Sequence, residues 1–148
     1  AVVVAKRATS LPALGVGLIL EPDEPTHPLL GIVSALRFAA GADIVSLPCD
    51  MPFVPARLLA FLASLEGSAT VAGAGRAQPL LSRVSSGARP ALEAALDRGD
   101  SAQVAVGALR PRVVAHEELA RFGDPERLLF NVNTPTDLRR AQGWTSAD

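Results

Sequence analysis

Short β-branched runs alternate with longer segments of helical periodicity, and this alternation limits the fold more than any other feature of the chain. The runs predict strands at 2–5, 16–20, 44–47, 70–72, 80–84, 112–115 and 128–132. The periodic segments predict helices at 29–40, at 90–96, and from Pro52 and Pro55 to about 65. Two further helices are predicted to begin at N-caps, one from Ser101 to about 109 and one from Thr134 through Pro135 to about 142. Such a chain is predicted to be an α/β protein, with a three-layer, doubly wound, mostly parallel sheet of the Rossmann-like type.

The composition supports one domain built around small aliphatic side chains. The 148 residues are 49% hydrophobic but only 4% aromatic, and tyrosine is absent. A core of alanine, valine and leucine suits helices that pack on a sheet. Residues 1–148 are therefore predicted to form a single domain, which is long enough to bury a core.

Charge and cysteine content exclude several classes of protein. The 14 basic and 15 acidic residues are scattered without a basic block, so no nucleic-acid surface is indicated. Cys49 is the only cysteine, which excludes an intramolecular disulfide. The apolar run at the start, residues 1–5, is far too short for a signal sequence or a membrane span. The prediction is a cytoplasmic protein that binds neither nucleic acid nor membrane.

The segment DIVSLPCDMPFV, residues 43–54, carries a lone carboxylate at the end of a predicted strand. Asp50 lies between Pro48 and Pro52, which restrict the backbone and so fix this carboxylate at the edge of the sheet where ligands bind. Mg²⁺ takes oxygen ligands of this kind, and phosphate and water complete its coordination. The alternative is a turn aspartate that caps the following helix.

The segment LLFNVNTPTD, residues 128–137, carries two asparagines. Asn131 and Asn133 alternate about Val132, so extended backbone would point both side chains to the same side. Each offers a carbonyl acceptor and an amide donor, which suit a metal or a heterocycle. The alternative is an asparagine turn that precedes the helix capped by Thr134.

The segment HPLLGIVSAL, residues 27–36, places a glycine in the first turn of a helix. Without a side chain at Gly31, a ligand could approach the free amides of the helix start. The alternative is close packing of the helix on the sheet. His27 is predicted to be a loop residue, and neither it nor His116 has the spacing of a metal ligand.

These three segments, in this order, resemble the molybdenum cofactor guanylyltransferases, the MobA-like nucleotidyltransferases. The family motifs Pro-Leu-x-Gly, Pro-Cys-Asp-x-Pro and Asn-x-Asn-Thr-Pro correspond to PLLG at 28–31, PCDMP at 48–52 and NVNTP at 131–135. Each motif alone is weak, but three ordered matches that extend over essentially the whole chain are specific. They favour the metal-binding interpretation of Asp50 over the helix cap.

The resemblance implies a Mg²⁺-dependent enzyme that transfers GMP from GTP to molybdopterin and releases pyrophosphate. It also implies molybdoenzyme-maturation proteins as partners. The PLLG segment is more similar to the guanylyl branch of the family than to the cytidylyl branch. By this resemblance Asp50 would bind the catalytic Mg²⁺ between the phosphates, Asn131 and Asn133 would face the pterin or metal side, and the nucleotide would lie against Pro28, Leu29 and Gly31.

The chain departs from the family pattern at its start. The family begins with a strand, a glycine-rich loop and a lysine that grips the phosphates, and no segment here matches them. Because Ala1 leads directly into a β-branched run, the first strand, loop and helix are expected to be missing. Lys6 is the only lysine and lies at a strand end, and Gln78 stands where the family often has histidine. The chain alone is therefore expected to bind GTP poorly.

Two other functions remain open at this point. The chain could be a non-catalytic remnant that binds molybdopterin or a protein partner. It could also transfer a nucleotide from CTP, or transfer one to a sugar phosphate, because one fold hosts many such reactions. An incomplete sheet would leave an exposed edge or an uncovered apolar face, so poor solubility is predicted.

Overall fold

A computed structural model describes residues 1–24, 26–74 and 76–145 of the chain. Pro25, Gly75 and residues 146–148 lie outside these ranges. The strands are β1 (Val2–Lys6), β2 (Gly17–Glu21), β3 (Ile44–Ser46), β4 (Ala69–Ala74), β5 (Arg76–Val84) and β6 (Arg112–Val114). The helices are α1 (Pro28–Phe38), α2 (Ala56–Ser64), α3 (Arg89–Asp97), α4 (Ala102–Ala108), α5 (His116–Leu119), α6 (Pro125–Leu128) and α7 (Pro135–Thr145). The predicted α/β class is confirmed.

The described strands form two sheets with mixed strand directions. β1 and β2 pair in parallel, and the second sheet has the order β3-β5-β4-β6. Within it β4 and β6 are parallel, whereas β5 is antiparallel to both β3 and β4. A single residue separates β4 from β5, and so short a connection can join only antiparallel neighbours. Both pairings of β5, with β3 and with β4, therefore differ from the parallel pairing that the sequence predicts.

Two groups of buried side chains lie on opposite faces of the four-stranded sheet. Val71 and Ala72, successive residues of β4, belong to different groups, as expected for neighbours that point to opposite faces of a strand. The first group joins the sheet to α1, α3 and α4, and the second joins it to α2, α5 and α6. The predicted three-layer arrangement is therefore present.

The predicted strand at 128–132 is wrong. Leu128 ends α6, and residues 130–133 have no regular secondary structure. Asp124 caps α6 by accepting a hydrogen bond from the Glu126 amide, and Pro125 occupies its first position. These start signals precede the apolar run, and a short apolar run alone cannot distinguish a strand from the end of a buried helix.

None of the helices in the described ranges is both long enough and apolar enough to span a membrane.

Candidate functional site

Asp50 lies in a tight turn between β3 and α2. The Met51 amide donates to the Pro48 carbonyl over 3.3 Å, which closes the turn around the aspartate. The N-cap of α2 is Pro55, and no side chain caps the helix, so Asp50 is not a helix cap. Within the described part of the chain the Asp50 carboxylate has no hydrogen-bond or ion-pair partner. It is thus available for a ligand.

The backbone joins the Asp50 turn directly to the asparagine segment. The Val132 amide donates to the Asp50 carbonyl over 2.8 Å. Asp50 and Asn131 line the same pocket, and the Asn131 Oδ1 atom is buried without a hydrogen-bond partner. A free carboxylate and an asparagine whose buried amide oxygen is unsatisfied therefore line one cavity, and a binding site at this edge depends on this juxtaposition.

Asn133 has a different environment from Asn131. Its side chain is exposed and does not line the pocket, and its backbone amide donates to Asp137 Oδ2 over 3.2 Å. The expectation that both asparagine side chains point to the same side assumed a strand, and this segment is irregular. Asn131 is therefore the asparagine that the structure brings to Asp50.

Thr134 and Asp137 cap the start of α7 reciprocally. The Asp137 amide donates to Thr134 Oγ1 over 3.1 Å, and the Thr134 amide donates to Asp137 Oδ2 over 2.9 Å. The Thr134 hydroxyl also donates to this carboxylate, and with the amides it holds the pKa of Asp137 below its usual value. The predicted cap at Thr134 is confirmed, and it requires neither asparagine side chain.

A cavity of about 400 Å³ opens between the Asp50 turn and the helices on the other side of the sheet. The turn contributes Pro48, Asp50 and Met51, and Asn131 adds to the same wall. Further lining residues come from β5 and the start of α4. They are Ala77, Gln78, Pro79, Leu80, Ser101, Ala102 and Gln103.

The PLLG segment contributes only its first residue to this cavity. Pro28 lines the cavity, whereas the Leu29 side chain is fully buried in the core and packs α1 instead of facing a ligand. Gly31 does not line it, but a Cβ built there would meet no atom within 4 Å, so tight packing does not require this glycine. His27 caps α1 by accepting a hydrogen bond from the Leu29 amide, which occupies one amide of the helix start.

Three aromatic rings and two arginines form a second cluster behind the Asp50 turn. Trp144 contacts Phe53 and Phe130 edge to face, with ring centroids 5.3 and 4.9 Å apart. Arg127 lies over Phe53 and Trp144, and Arg140 lies over Phe130 and Trp144. This aromatic cluster fixes α7 and the asparagine segment against the turn that carries Asp50. Sequence analysis missed it, because the five residues have no common spacing.

Gln78 and Gln103 line the cavity but were not predicted as site residues. The sequence indicated Gln78 only as a residue that stands where the family often has histidine, and no sequence pattern indicated Gln103. Only the packing of α4 against β5 brings the two glutamines to one cavity.

The residues at the cavity suit a hard cation that is held partly by a substrate. In the described ranges no group of three or more His, Cys, Asp or Glu side chains gathers as a metal site. One carboxylate and one buried amide oxygen are oxygen donors of the kind Mg²⁺ prefers, and Mg²⁺ usually keeps waters and takes phosphate oxygens as further ligands. The donor set therefore fits Mg²⁺ bound together with a phosphorylated ligand.

Comparison with known proteins identifies the family of this chain. The family described as MobA-like NTP transferase domain matches residues 1–116. The chain belongs to this family. A molybdenum cofactor guanylyltransferase of Cereibacter sphaeroides is 36% identical over 141 residues, which cover 90% of this chain and 69% of the relative. A probable molybdenum cofactor guanylyltransferase of Pelotomaculum thermopropionicum is 35% identical, covering 87% of this chain and 66% of that protein.

A solved structure supports the same assignment. The crystal structure of molybdopterin-guanine dinucleotide biosynthesis protein A from Archaeoglobus fulgidus superposes with a TM-score of 0.78 at 27% identity, covering 90% of this chain and 70% of that one. The Aquifex aeolicus protein Aq1419, with a TM-score of 0.67 at 20% identity, shares the fold. The MobA-like domain is thus a nucleotidyltransferase domain, and both the recognised family and the predicted enzyme class are confirmed.

Proposed function

We propose that this MobA-like domain transfers GMP from GTP to molybdopterin, with release of pyrophosphate and in dependence on Mg²⁺. The observation that carries the proposal is the unpartnered Asp50 carboxylate, which lines the same cavity as Asn131, a residue whose buried amide oxygen is unsatisfied. The names of the guanylyltransferase relatives support the choice of donor and acceptor.

Asp50 is the proposed metal ligand and the group that positions the nucleotide phosphates. Mg²⁺ supplies charge neutralisation at the phosphates when it is bound. The turn between Pro48 and Pro52 restricts the backbone on both sides of the carboxylate, so little ordering remains to be done when a substrate binds. Asn131 is proposed to hold the acceptor beside the metal, with Asn133 at the rim, and Pro28 is proposed to contact the nucleotide.

The reaction needs no nucleophile from the protein. The terminal phosphate of molybdopterin attacks the α-phosphorus in line, a new P–O bond forms, and the bond to the pyrophosphate leaving group breaks. The protein aligns the two substrates and excludes water, tasks that a cavity with one carboxylate and several neutral amides can perform.

A second candidate is molybdopterin binding without transfer by residues 1–148 alone. The contacts of Lys6, the only lysine, favour this candidate. Its Nζ lies 3.1 Å from Glu21 Oε1 and donates to the Pro22 carbonyl. A lysine held by these contacts is poorly placed to grip a triphosphate. A strand, a glycine-rich loop and a helix of the family type, joined ahead of Ala1, are proposed to supply that function.

The test compares residues 1–148 with the same chain extended by such a segment. Pyrophosphate release is measured with molybdopterin as acceptor and with GTP, CTP or ATP as donor, and sugar phosphates replace molybdopterin in a parallel series. We expect transfer only by the extended chain, with GTP preferred. If the extended chain transfers nothing but both chains bind molybdopterin, the binding function replaces the transferase function. Transfer only to sugar phosphates would contradict the proposed acceptor.

A further inference from the structure

Two glutamines line the same cavity as Asp50. Gln78 lies on β5 and Gln103 lies in the first turn of α4, and both side chains are half-buried. Among the residues that the structure describes, neither glutamine side chain has a hydrogen-bond partner. Their neighbour Ser101 is already used, because its hydroxyl accepts a hydrogen bond from the Val104 amide and caps α4. Gln78 and Gln103 are thus polar lining residues with free side-chain amides in the part of the chain that the structure describes.

Together with Asn131 the glutamines make the polar lining of the cavity largely neutral. Among the described side chains that line the cavity, Asp50 is the one that carries a charge. The buried Asn131 Oδ1 lacks a donor, and a buried acceptor without a donor is unfavourable unless a ligand supplies one. A ligand that satisfies all three amides must present both donors and acceptors on an uncharged surface.

The side-chain amides of Gln78 and Gln103 are complementary to the hydrogen-bonding edge of one class of heterocycle. The 2-amino-4-oxopyrimidine ring, which pterins and guanine share, presents N3–H or N1–H beside a carbonyl oxygen on one edge. The amide carbonyl of a glutamine accepts the ring N–H while its NH₂ group donates to the ring oxygen, which gives a paired, bidentate contact. The exocyclic amino group is then a donor that the Asn131 oxygen can accept.

We propose that Gln78 and Gln103 form the wall that recognises a 2-amino-4-oxopyrimidine ring, with Asn131 accepting its exocyclic amino group. The inference rests on the proposed function for the identity of the substrates, since both GTP and molybdopterin carry this ring. It assigns binding roles to two residues outside the three motifs.

The experiment titrates residues 1–148 with 6-hydroxymethylpterin, followed by the fluorescence of the ligand, and with guanosine, followed by calorimetry. Neither ligand carries a phosphate, so the titrations report ring recognition without the metal. The variants are Gln78→Leu and Gln103→Leu. Gln142→Leu is the matched control, since Gln142 lies on the exposed side of α7 and does not line the cavity. Circular dichroism and thermal melting establish that each variant folds.

We expect at least one of the two ligands to bind, and each cavity variant to weaken its binding by about tenfold or more. The control should bind within twofold of the original chain. A loss confined to the pterin assigns the wall to the acceptor, and a loss confined to guanosine assigns it to the nucleotide base. Failure of the original chain to bind either ligand, or equal binding by all variants, would overturn the inference.

The outcomes separate this inference from the proposed function. If the extended chain transfers GMP while the glutamine variants bind both ligands normally, the wall is wrongly assigned and the function stands. If ring binding depends on the glutamines but the extended chain transfers nothing, the wall stands and the transferase function does not.

Discussion

The two sides of this domain differ in how completely they are packed. On the Asp50 side a backbone hydrogen bond from Val132 and the aromatic cluster around Trp144 hold the turn, and a fully buried group of side chains lies beneath it. On the other side, β1 and β2 pair only with each other among the described strands, and Leu18 and Leu20 of β2 are 49% and 51% exposed. Helix α1 contacts both sheets.

This difference indicates which functions the described residues can support. Asp50 and Asn131, which are proposed to position the metal and the acceptor, are supported by contacts among the described residues. The β1–β2 sheet leaves an apolar face open, with Leu18 and Leu20 exposed on the same face of β2. We therefore expect the Asp50 side to behave as a formed half-site and the β1–β2 side to depend on additional contacts.

The largest effect should come from matched leucine truncations on the two sides. Leu81, on β5 beneath the Asp50 turn, is fully buried, so Leu81→Ala should lower the free energy of unfolding by about 3 kcal/mol. Leu18→Ala should change it by about 0.5 kcal/mol or less, because half of that side chain is already exposed. Urea unfolding followed by circular dichroism measures both. Equal losses would contradict the contrast between the two sides.

The next effect concerns the aromatic cluster. Trp144→Ala should lower the free energy of unfolding by about 2 kcal/mol, because it removes two ring contacts and two arginine–ring contacts. Trp144→Phe keeps an aromatic ring and should lose less than half as much. Hydrogen exchange should also become faster at the Val132 amide in the alanine variant, since α7 no longer holds the asparagine segment. Unchanged exchange there would mean that the cluster does not support the site.

Self-association should depend on the open face of β2. The double substitution Leu18→Thr with Leu20→Thr should reduce aggregation of residues 1–148, because it removes the largest exposed apolar side chains of that strand while threonine still suits a strand. Leu138→Thr on α7, where the leucine is 49% exposed, is the control and should have little effect. Light scattering at increasing concentration measures the difference. A monodisperse original chain would contradict the prediction of poor solubility.

The smallest effect is the pH dependence of the α7 cap. The pKa of Asp137 is lowered in the folded protein, first by the Thr134 hydroxyl and then by the backbone amides. The stabilisation from this carboxylate is therefore complete above the ordinary aspartate pKa of about 3.9 and is lost as the pH falls through the lowered value. Fluorescence of Trp144, the only tryptophan, should report the loosening of α7 during acid titration. Asp137→Asn should remove this transition, and its persistence would assign it elsewhere.

The sequence predicted local features better than relationships between segments. Proline and glycine positions and hydrophobic period located α1, the Asp50 turn and the Thr134 cap, because these signals act within a few residues. The strand predicted at 128–132 was wrong because its apolar residues serve the end of a helix and an irregular segment. The wall formed by Gln78 and Gln103 was missed because it depends on the packing of α4 against β5, which no local pattern encodes.

For the site as well, local motifs were predicted better than the contacts between segments. Asp50 and Asn131 were predicted from motif order, and the Val132–Asp50 hydrogen bond brings their segments together. Leu29 was named because it belongs to a motif, although its spacing with Ile32 and Leu36 is that of a core position, and it is fully buried. A motif thus identifies a segment, and burial decides which of its side chains can meet a ligand.

The central claim is that the Asp50 carboxylate anchors Mg²⁺ for nucleotidyl transfer. The most direct measurement is the rate of Mg²⁺-dependent GMP transfer by the extended chain with Asp50→Asn, compared with Asp97→Asn at an exposed position on α3. Asn keeps the size of the side chain and removes the charge, and Asp50 caps no helix, so stability should be unchanged. We predict a loss of about a thousandfold for Asp50→Asn and none for Asp97→Asn. Transfer by Asp50→Asn within threefold of the original rate would contradict the account.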